Sequence, residues 1–532
     1  MAQLLDIFGF LSVLLRGLSL AFEALTLGGI IFGFAVARQP SCSKVAKTTN
    51  LWLRCFAGLL ALTQVSIVGI NSAILASSTG LRLVEIIGAS FWIAGALSVT
   101  GALGVLIFAG SRWFPIVRPF TFASILAGSV MMSHSAARLD YRWALVALTL
   151  VHHVASAAWI GGLPYLLMAL RRATRAESAA MTARFSKLAM VSVALLIGAG
   201  AALAFAYVGS FAGMLGATYG VMLSAKVVLT AILLLLGALN FRIVRAVAGG
   251  GAPDVLPLRR FAETEVGIGF TVLLAAASLT STPPAIDVHA DQVPLREIAK
   301  RMRPRWPRMS TPSVTELSQV TPLNSPPQRI SPESFAPGQS PRWSSPADIA
   351  WSEYNHHWAG LVVLAAGILA VVARRSRWAR GWPLAFLGLA AFLLIRADAE
   401  NWPLGPHGFW ESFRVAEVAQ HRVFVLLIVA FAIFEWGVQT RRVMPRRAAL
   451  VFPAVCAVGG ALLMTHSHAL GNVKEELLAE WSHMPIAVLG VVAGCSRWLE
   501  LRLPRHLNLI PAWIWPPCFV FIGLLLVLYR ES

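Results

Sequence analysis

The sequence predicts an all-α protein that crosses a membrane about fourteen times. Of its 532 residues, 57% are hydrophobic and only 13% are charged, whereas soluble globular proteins carry about 25% charged residues. Apolar runs long enough to cross a hydrocarbon core recur along the chain. The basic residues, which give a net charge of +19, cluster between these runs. A large soluble enzyme is therefore excluded, and the basic charge indicates membrane topology and not nucleic acid binding.

The spans are predicted from apolar runs separated by polar breaks, because about 20 helical residues are needed to cross the bilayer core. The run at 484–497 is short for a full span. In chain order, the predicted spans are residues 11–36, 52–76, 86–108, 115–133, 144–169, 187–208, 219–240, 262–280, 357–373, 382–397, 422–438, 449–465, 484–497 and 510–529.

One long polar segment divides these spans into two groups. Residues 281–352 contain 13 prolines in 72 positions and few aliphatic residues, so this segment cannot bury a core of its own. The sequence therefore predicts a first membrane module of eight spans at residues 1–280. A Pro-rich extracytoplasmic linker follows at 281–352, and a His-rich module of six spans occupies residues 353–532.

The orientation is predicted from Lys and Arg, which accumulate in alternate connections such as residues 171–175 and 441–447. Seven of these connections are expected in the cytoplasm, because basic residues mark cytoplasmic loops. With fourteen spans, both termini then face the outside. The linker also carries basic residues, but loops longer than about 60 residues largely escape this rule.

Histidine placement is an independent observation, because the topology rests on Lys and Arg alone. Eleven of the twelve histidines fall on the predicted outer side, and only His506 falls in the cytoplasm. Methionines accompany them, and imidazole with thioether ligands suits copper, Cu(I) in particular. The alternative is that these histidines hydrogen-bond loop carbonyls. The candidate metal ligands are His134, His152, His153, Met131, Met132, Glu353, His356, His357, His407, His421, His466, His468, His483, Met464 and Met484.

Residues 352–357 form the most compact of these candidates. Ser352 is expected to cap the start of a helix, and Glu353 then shares a helix face with His356 and His357. Such a turn can chelate a metal. The alternative is a capped interfacial turn in which Glu353 stabilises the helix dipole.

His152 and His153 lie inside a predicted span, where polar groups are expensive. Glu23 and Lys226 are also placed within spans. One interpretation is a Glu23–Lys226 ion pair that fixes helix packing, and the other is a polar route across the bilayer. Gly161 and the glycine after it are expected to let a neighbouring helix approach closely.

Several of these residues resemble the CopD family of copper-resistance membrane proteins. Residues 150–163, with His152 and the run Trp159-Ile160-Gly161-Gly162-Leu163, look like the H…WxGGL signature of that family. Residues 133–136 resemble its GHA element, with Ser in place of Gly, and residues 226–242 are similar to its later K…NR helix. The resemblance covers roughly residues 1–280, and the C-terminal module resembles the extension of longer relatives.

The resemblance implies a multi-pass protein of the bacterial inner membrane that imports or sequesters periplasmic copper, as Cu(I) or Cu(II). A separate periplasmic carrier of the CopC type is an expected partner. One alternative is an electron-transfer protein that binds haem b through His152 and His153, since histidine is a common haem ligand. Another is a scaffold whose Pro-rich linker binds a periplasmic partner. No nucleophile–base arrangement, phosphate loop or dinucleotide motif is evident, so enzymatic activity is not predicted.

Overall fold

The structure is a computed structural model of this chain. It describes residues 2–37, 43–248, 256–313, 316–317, 346–399, 401–405, 408–414, 416–443, 447–465 and 473–530. These residues form helices joined by short connections, and no strand is found among them. The predicted all-α class is confirmed.

Eight long helices lie in the first part of the chain. They are α1 (Ala2–Ala35), α2 (Ser43–Thr79), α3 (Ser90–Phe108), α4 (Phe114–Met131), α5 (Arg142–Ala169), α6 (Arg175–Val208), α7 (Thr218–Ala248) and α8 (Leu256–Ser281). Within α5, residues Ala157–Gly161 form a π-helical turn. Short helices cover Leu83–Ile86, His134–Ala137 and Phe211–Gly216.

Six further helices follow. They are α9 (Pro346–Val372), α10 (Trp378–Arg396), α11 (Ala416–Gln439), α12 (Ala448–Leu463), α13 (Val473–Arg502) and α14 (Leu509–Val527). A 3-10 helix at Ala285–Asp291 and a short α-helix at Leu295–Arg301 precede them.

Within the described ranges, thirteen of these helices are long and apolar enough to cross a membrane, and α12 is shorter. The predicted span at 484–497 lies within a longer helix, because α13 continues on both sides of that apolar run. Hydropathy marks the apolar part of a helix and not its polar ends. The chain is a multi-pass membrane protein, as predicted.

The helices belong to two compact units. The N-terminal unit comprises Phe10–Gly213 and Lys226–Asp287, and the C-terminal unit comprises residues 2–9, Met214–Ala225 and the described residues from Val288 onward. The N-terminal unit ends at Asp287, and Met214–Ala225 belong to the C-terminal unit although they precede that residue in the chain. Two hydrogen bonds hold that segment in the C-terminal unit. The Val293 amide donates to the Gly216 carbonyl at 2.9 Å, and the Trp481 indole donates to the Leu215 carbonyl at 3.0 Å.

In the N-terminal unit, small residues allow α1 and α5 to cross closely. A Cβ added at Gly161 would overlap the Ala24 carbonyl, and one at Gly28 would overlap the Ala157 carbonyl. Small residues at a crossing let membrane helices approach to backbone contact. The close approach expected at Gly161 is thereby confirmed, and it brings Glu23 of α1 against α5.

In the C-terminal unit, α9 and α14 also meet at glycines. Cβ atoms added at Gly360 or Gly523 would press on the opposite backbone, at Val527 and Leu364 respectively. Because the two helices pack along their length, the residues that follow α14 lie beside the first turns of α9. This arrangement positions the polar cluster around His357.

Candidate functional site

A carboxylate–imidazole pair lies inside the N-terminal unit. Nδ1 of His153 on α5 lies 3.1 Å from Oε1 of Glu23 on α1, and 3.3 Å from Oγ of Ser129 on α4. Glu23 is 5% exposed. A carboxylate oxygen accepts from an N–H, so in the neutral imidazole this contact places the ring proton on Nδ1 and the lone pair on Nε2. A carboxylate that fixes the ring in this way is the usual support of a metal-binding histidine.

The neighbouring His152 faces a different environment. It lies against α6, where a Cβ added at Gly200 would be 3.5 Å from its Nδ1. The imidazole ring forms a hydrogen bond with the backbone of Leu196. Its Nδ1 atom is buried and has no hydrogen-bond partner in the described residues. The two adjacent histidines therefore contact different helices, which agrees with the angle of about 100° between consecutive side chains on a helix.

Lys226 does not form the expected ion pair with Glu23. The carboxylate of Glu23 is paired with His153 instead. Lys226 on α7 lies close enough to interact electrostatically with His152. Across the described part of the chain, no carboxylate lies within ion-pair distance of Lys226. The ion-pair interpretation of Glu23 and Lys226 is therefore wrong.

The segment around His134 is anchored to Arg16 of α1 and to the C-terminal end of α8. Nε2 of His134 lies 3.1 Å from the Leu279 carbonyl. Arg16 of α1 donates to the Thr280 hydroxyl at 2.8 Å and to the Met132 carbonyl. These contacts hold the methionine pair Met131 and Met132 at the end of α4, next to the polar groups of the unit.

A second cluster lies in the C-terminal unit around His357, which is 0% exposed. Nδ1 of His357 accepts the Arg308 amide at 2.7 Å, and Nε2 donates to the Tyr529 carbonyl at 3.0 Å. Glu353 lies 3.5 Å from the guanidinium groups of both Arg308 and Arg530. Both ring nitrogens and the carboxylate are thus engaged by the protein itself, an arrangement that favours a structural role for this pair.

His356 presents a different geometry from its neighbour. Its Nδ1 lies 2.9 Å from the Ser352 carbonyl, so Nδ1–H donates and Nε2 keeps its lone pair. Its ring stacks on Tyr529 with a centroid distance of 3.9 Å, and the His483 ring lies 6.3 Å away. Ser352 is not a helix cap, because α9 already begins at Pro346. The predicted cap is wrong because helix-compatible residues precede Ser352.

The remaining candidate ligands are dispersed. Nδ1 of His421 lies 2.7 Å from the Asp398 carboxylate, and Met464 and Met484 are buried. His407, His466 and His468 lie outside the described residues. In the ranges that the structure describes, no group of three or more His, Cys, Asp or Glu side chains is gathered as a metal site.

Sequence reasoning missed a third polar cluster in the N-terminal unit. Asn240 of α7 donates to the carboxyl group of Glu265 on α8, and Trp159 of α5 hydrogen-bonds the same group. Both Asn240 and Glu265 are buried. The signal was available, since Glu265 is an acidic residue inside a predicted span, and such residues are expensive unless they have a role.

Comparison with known proteins gives two matches. Residues 179–279 match the family model described as CopD, copper resistance protein D. The chain is 26% identical over 212 residues to the protein named copper transport protein CutJ from Bacillus subtilis (strain 168). That match spans 38% of this chain and 38% of the relative. No solved structure matches the chain.

These matches confirm the resemblance to the CopD family that the sequence motifs indicate. The segment that matches the CopD family model lies on helices α6 to α8. The names of the matched family and of the matched relative both refer to copper. Neither comparison supports the haem b alternative.

Proposed function

We propose that the protein transports or sequesters copper at the bacterial inner membrane. Copper, as Cu(I) or Cu(II), is the cargo and is collected by His and Met side chains at the periplasmic face. From there it passes to His153 in the N-terminal unit. The observation that carries this proposal is the buried Glu23–His153 pair.

The chemistry of that pair suits a metal cation. Nδ1 of His153 is fixed by Glu23, so Nε2 is the nitrogen that binds copper. The negative charge of Glu23 also offsets the charge of a cation that leaves water for the membrane interior. His134, Met131 and Met132 supply imidazole and thioether ligands for the approach to this site, a ligand set that copper prefers.

The C-terminal unit supplies a second copper contact at His356. Its Nδ1–H is held by the Ser352 carbonyl, which leaves Nε2 for a metal. The stacked ring of Tyr529 fixes the imidazole plane. We assign His357 and Glu353 to the support of this segment, because their polar atoms already bond protein groups.

The proposal also includes a partner protein and an orientation of the chain in the membrane. A separate periplasmic copper carrier of the CopC type would deliver the cargo, and both termini would face the periplasm. This orientation rests on the alternating basic connections of the sequence. The CutJ relative is named as a copper transport protein, which supports transport over storage.

The test is cellular copper content in a strain that depends on this protein for copper accumulation. His153→Ala should lower accumulation on the order of tenfold, because the site loses its ligand. The matched control is His289→Ala, which removes an exposed histidine of the C-terminal unit. Equal accumulation in all three strains would overturn the proposal. A visible spectrum of the purified protein with a Soret band lost in His153→Ala would favour haem instead.

A further inference from the structure

The N-terminal unit contains a cavity that the copper pathway does not use. Its volume is about 270 Å³, and α5, α6, α7 and α8 form its walls. Most lining side chains are aliphatic or aromatic, including Trp159 and Phe185. Asn240 and Glu265 also line it and supply strong hydrogen-bonding groups. A mostly apolar cavity with a few convergent polar groups is the usual form of a small-ligand site.

The polar groups that line this cavity are hydrogen-bond acceptors, and within the described residues no basic side chain forms an ion pair with them. Glu265 is 4% exposed and bonds only neutral donors, Asn240 and Trp159. In the part of the chain that the structure describes, no Lys, Arg or His nitrogen lies within ion-pair distance of Glu265. The Asn240 residue is 9% exposed, and its Oδ1 is buried without a hydrogen-bond partner. A buried carboxylate and an unpartnered amide oxygen together call for a ligand that brings positive charge and N–H donors.

The opening of the cavity indicates where the ligand comes from. Met190 of α6 and Ala238 of α7 line it, and both are exposed on the surface of membrane-spanning helices. These helices are long and apolar enough to cross a membrane, so an exposed surface on them is accessible to a ligand from the bilayer. The aromatic rings of Trp159 and Phe241 also line the cavity and favour a cationic group.

We propose that this cavity binds the ammonium headgroup of a membrane phospholipid of the phosphatidylethanolamine class. The ammonium donates to the Glu265 carboxylate and to Oδ1 of Asn240, and the lipid body remains in the bilayer beside Met190. The site is independent of copper, since its polar groups are not those that hold the proposed cargo. A lipid bound tightly in this cavity would contact helices α5, α6, α7 and α8 at once. It would thereby stabilise the segment that matches the CopD family model.

The test is lipid retention by the purified full-length protein, measured by native mass spectrometry. The protein is equilibrated with equal amounts of phosphatidylethanolamine and phosphatidylglycerol. We expect selective retention of the ethanolamine lipid, and at least about a tenfold loss of that retention in Glu265→Gln, since removing one partner of a buried charge pair is strongly unfavourable. The control, Glu263→Gln, alters a neighbouring carboxylate that is already paired with Arg260 and Arg171 and should retain the lipid.

A second variant protects the test against misfolding. Met190→Trp places a large ring at the opening and leaves the polar pair intact, so it should also abolish selective retention. Equal retention of the two lipids by the unaltered protein would overturn the proposal. So would unchanged retention in Glu265→Gln, or retention in Met190→Trp equal to that of the unaltered protein.

Discussion

Oε1 of Glu23 and Nδ1 of His153 lie 3.1 Å apart and join helices α1 and α5 inside the N-terminal unit. The helices can come this close because Gly28 and Gly161 leave no side chain between their backbones. The carboxylate fixes one nitrogen of the ring and leaves the other available. One pair of side chains thus links the packing of the unit to its proposed ligand chemistry.

Glu23→Ala should weaken copper binding without removing the histidine. The ring of His153 would lose its carboxylate support, and such losses reduce metal affinity by about 10- to 100-fold. Competition with a Cu(I) chelator on the purified protein measures this change. Glu85→Gln is the control, because Glu85 pairs with Arg82 at the surface of the same unit. An affinity equal to that of the unaltered protein would exclude Glu23 as the support of the ligand.

His357→Ala should destabilise the protein and leave copper binding at His153 intact. The substitution leaves the Arg308 amide and the Tyr529 carbonyl without their partner. Each unsatisfied buried group costs about 1–3 kcal/mol, so the expected loss for the two groups is roughly 2–6 kcal/mol. Thermal unfolding in detergent measures the loss. A variant with unchanged stability and one copper ion fewer would instead identify His357 as a ligand.

Gly28→Ala should destabilise the crossing of α1 and α5. Its Cβ would overlap the Ala157 carbonyl, and overpacking of this kind costs about 1–3 kcal/mol. Gly33→Ala on the same helix is the matched control, because no atom lies within 4 Å of its added Cβ. That control should be neutral or slightly stabilising, as alanine favours helix over glycine. Equal melting temperatures for the two variants would contradict the close crossing.

Tyr207→Phe should have a smaller effect. The Tyr207 hydroxyl lies 2.7 Å from Ser135 Oγ, which also bonds Thr149 at 2.5 Å. Hydrogen bonds between membrane helices contribute about 0.6 kcal/mol on average, with a maximum near 1.7 kcal/mol. Tyr141→Phe is the control, since Tyr141 is exposed. Thermal unfolding of both variants tests the prediction, and a loss above this range would mean that Tyr207 has a further role.

The sequence predicted the helices well because hydropathy depends on local composition. Each of the fourteen predicted spans overlaps a helix of the structure. The partners of the polar residues depend instead on which helices meet, and this information is not local. An ion pair of Glu23 with Lys226 was therefore one of two interpretations left open, whereas the α1–α5 crossing brings Glu23 to His153.

Two features of the site had no clear local signal. The π-helical turn at Ala157–Gly161 interrupts the regular spacing of α5, and apolar periodicity does not reveal such a turn. Arg530 reaches Glu353 only because α14 packs along α9. Residues 352–357 were expected to chelate a metal or to cap a helix, but the bonds of His357 to Arg308 and Tyr529 come from distant parts of the chain.

The most direct test is the number of copper ions bound by the purified protein, measured by chelator competition for the unaltered chain, His153→Ala and His289→Ala. We predict that His153→Ala binds one ion fewer than the unaltered protein, whereas His289→Ala binds the same number. Identical stoichiometry and affinity in all three proteins would contradict the assignment of His153 as a copper ligand.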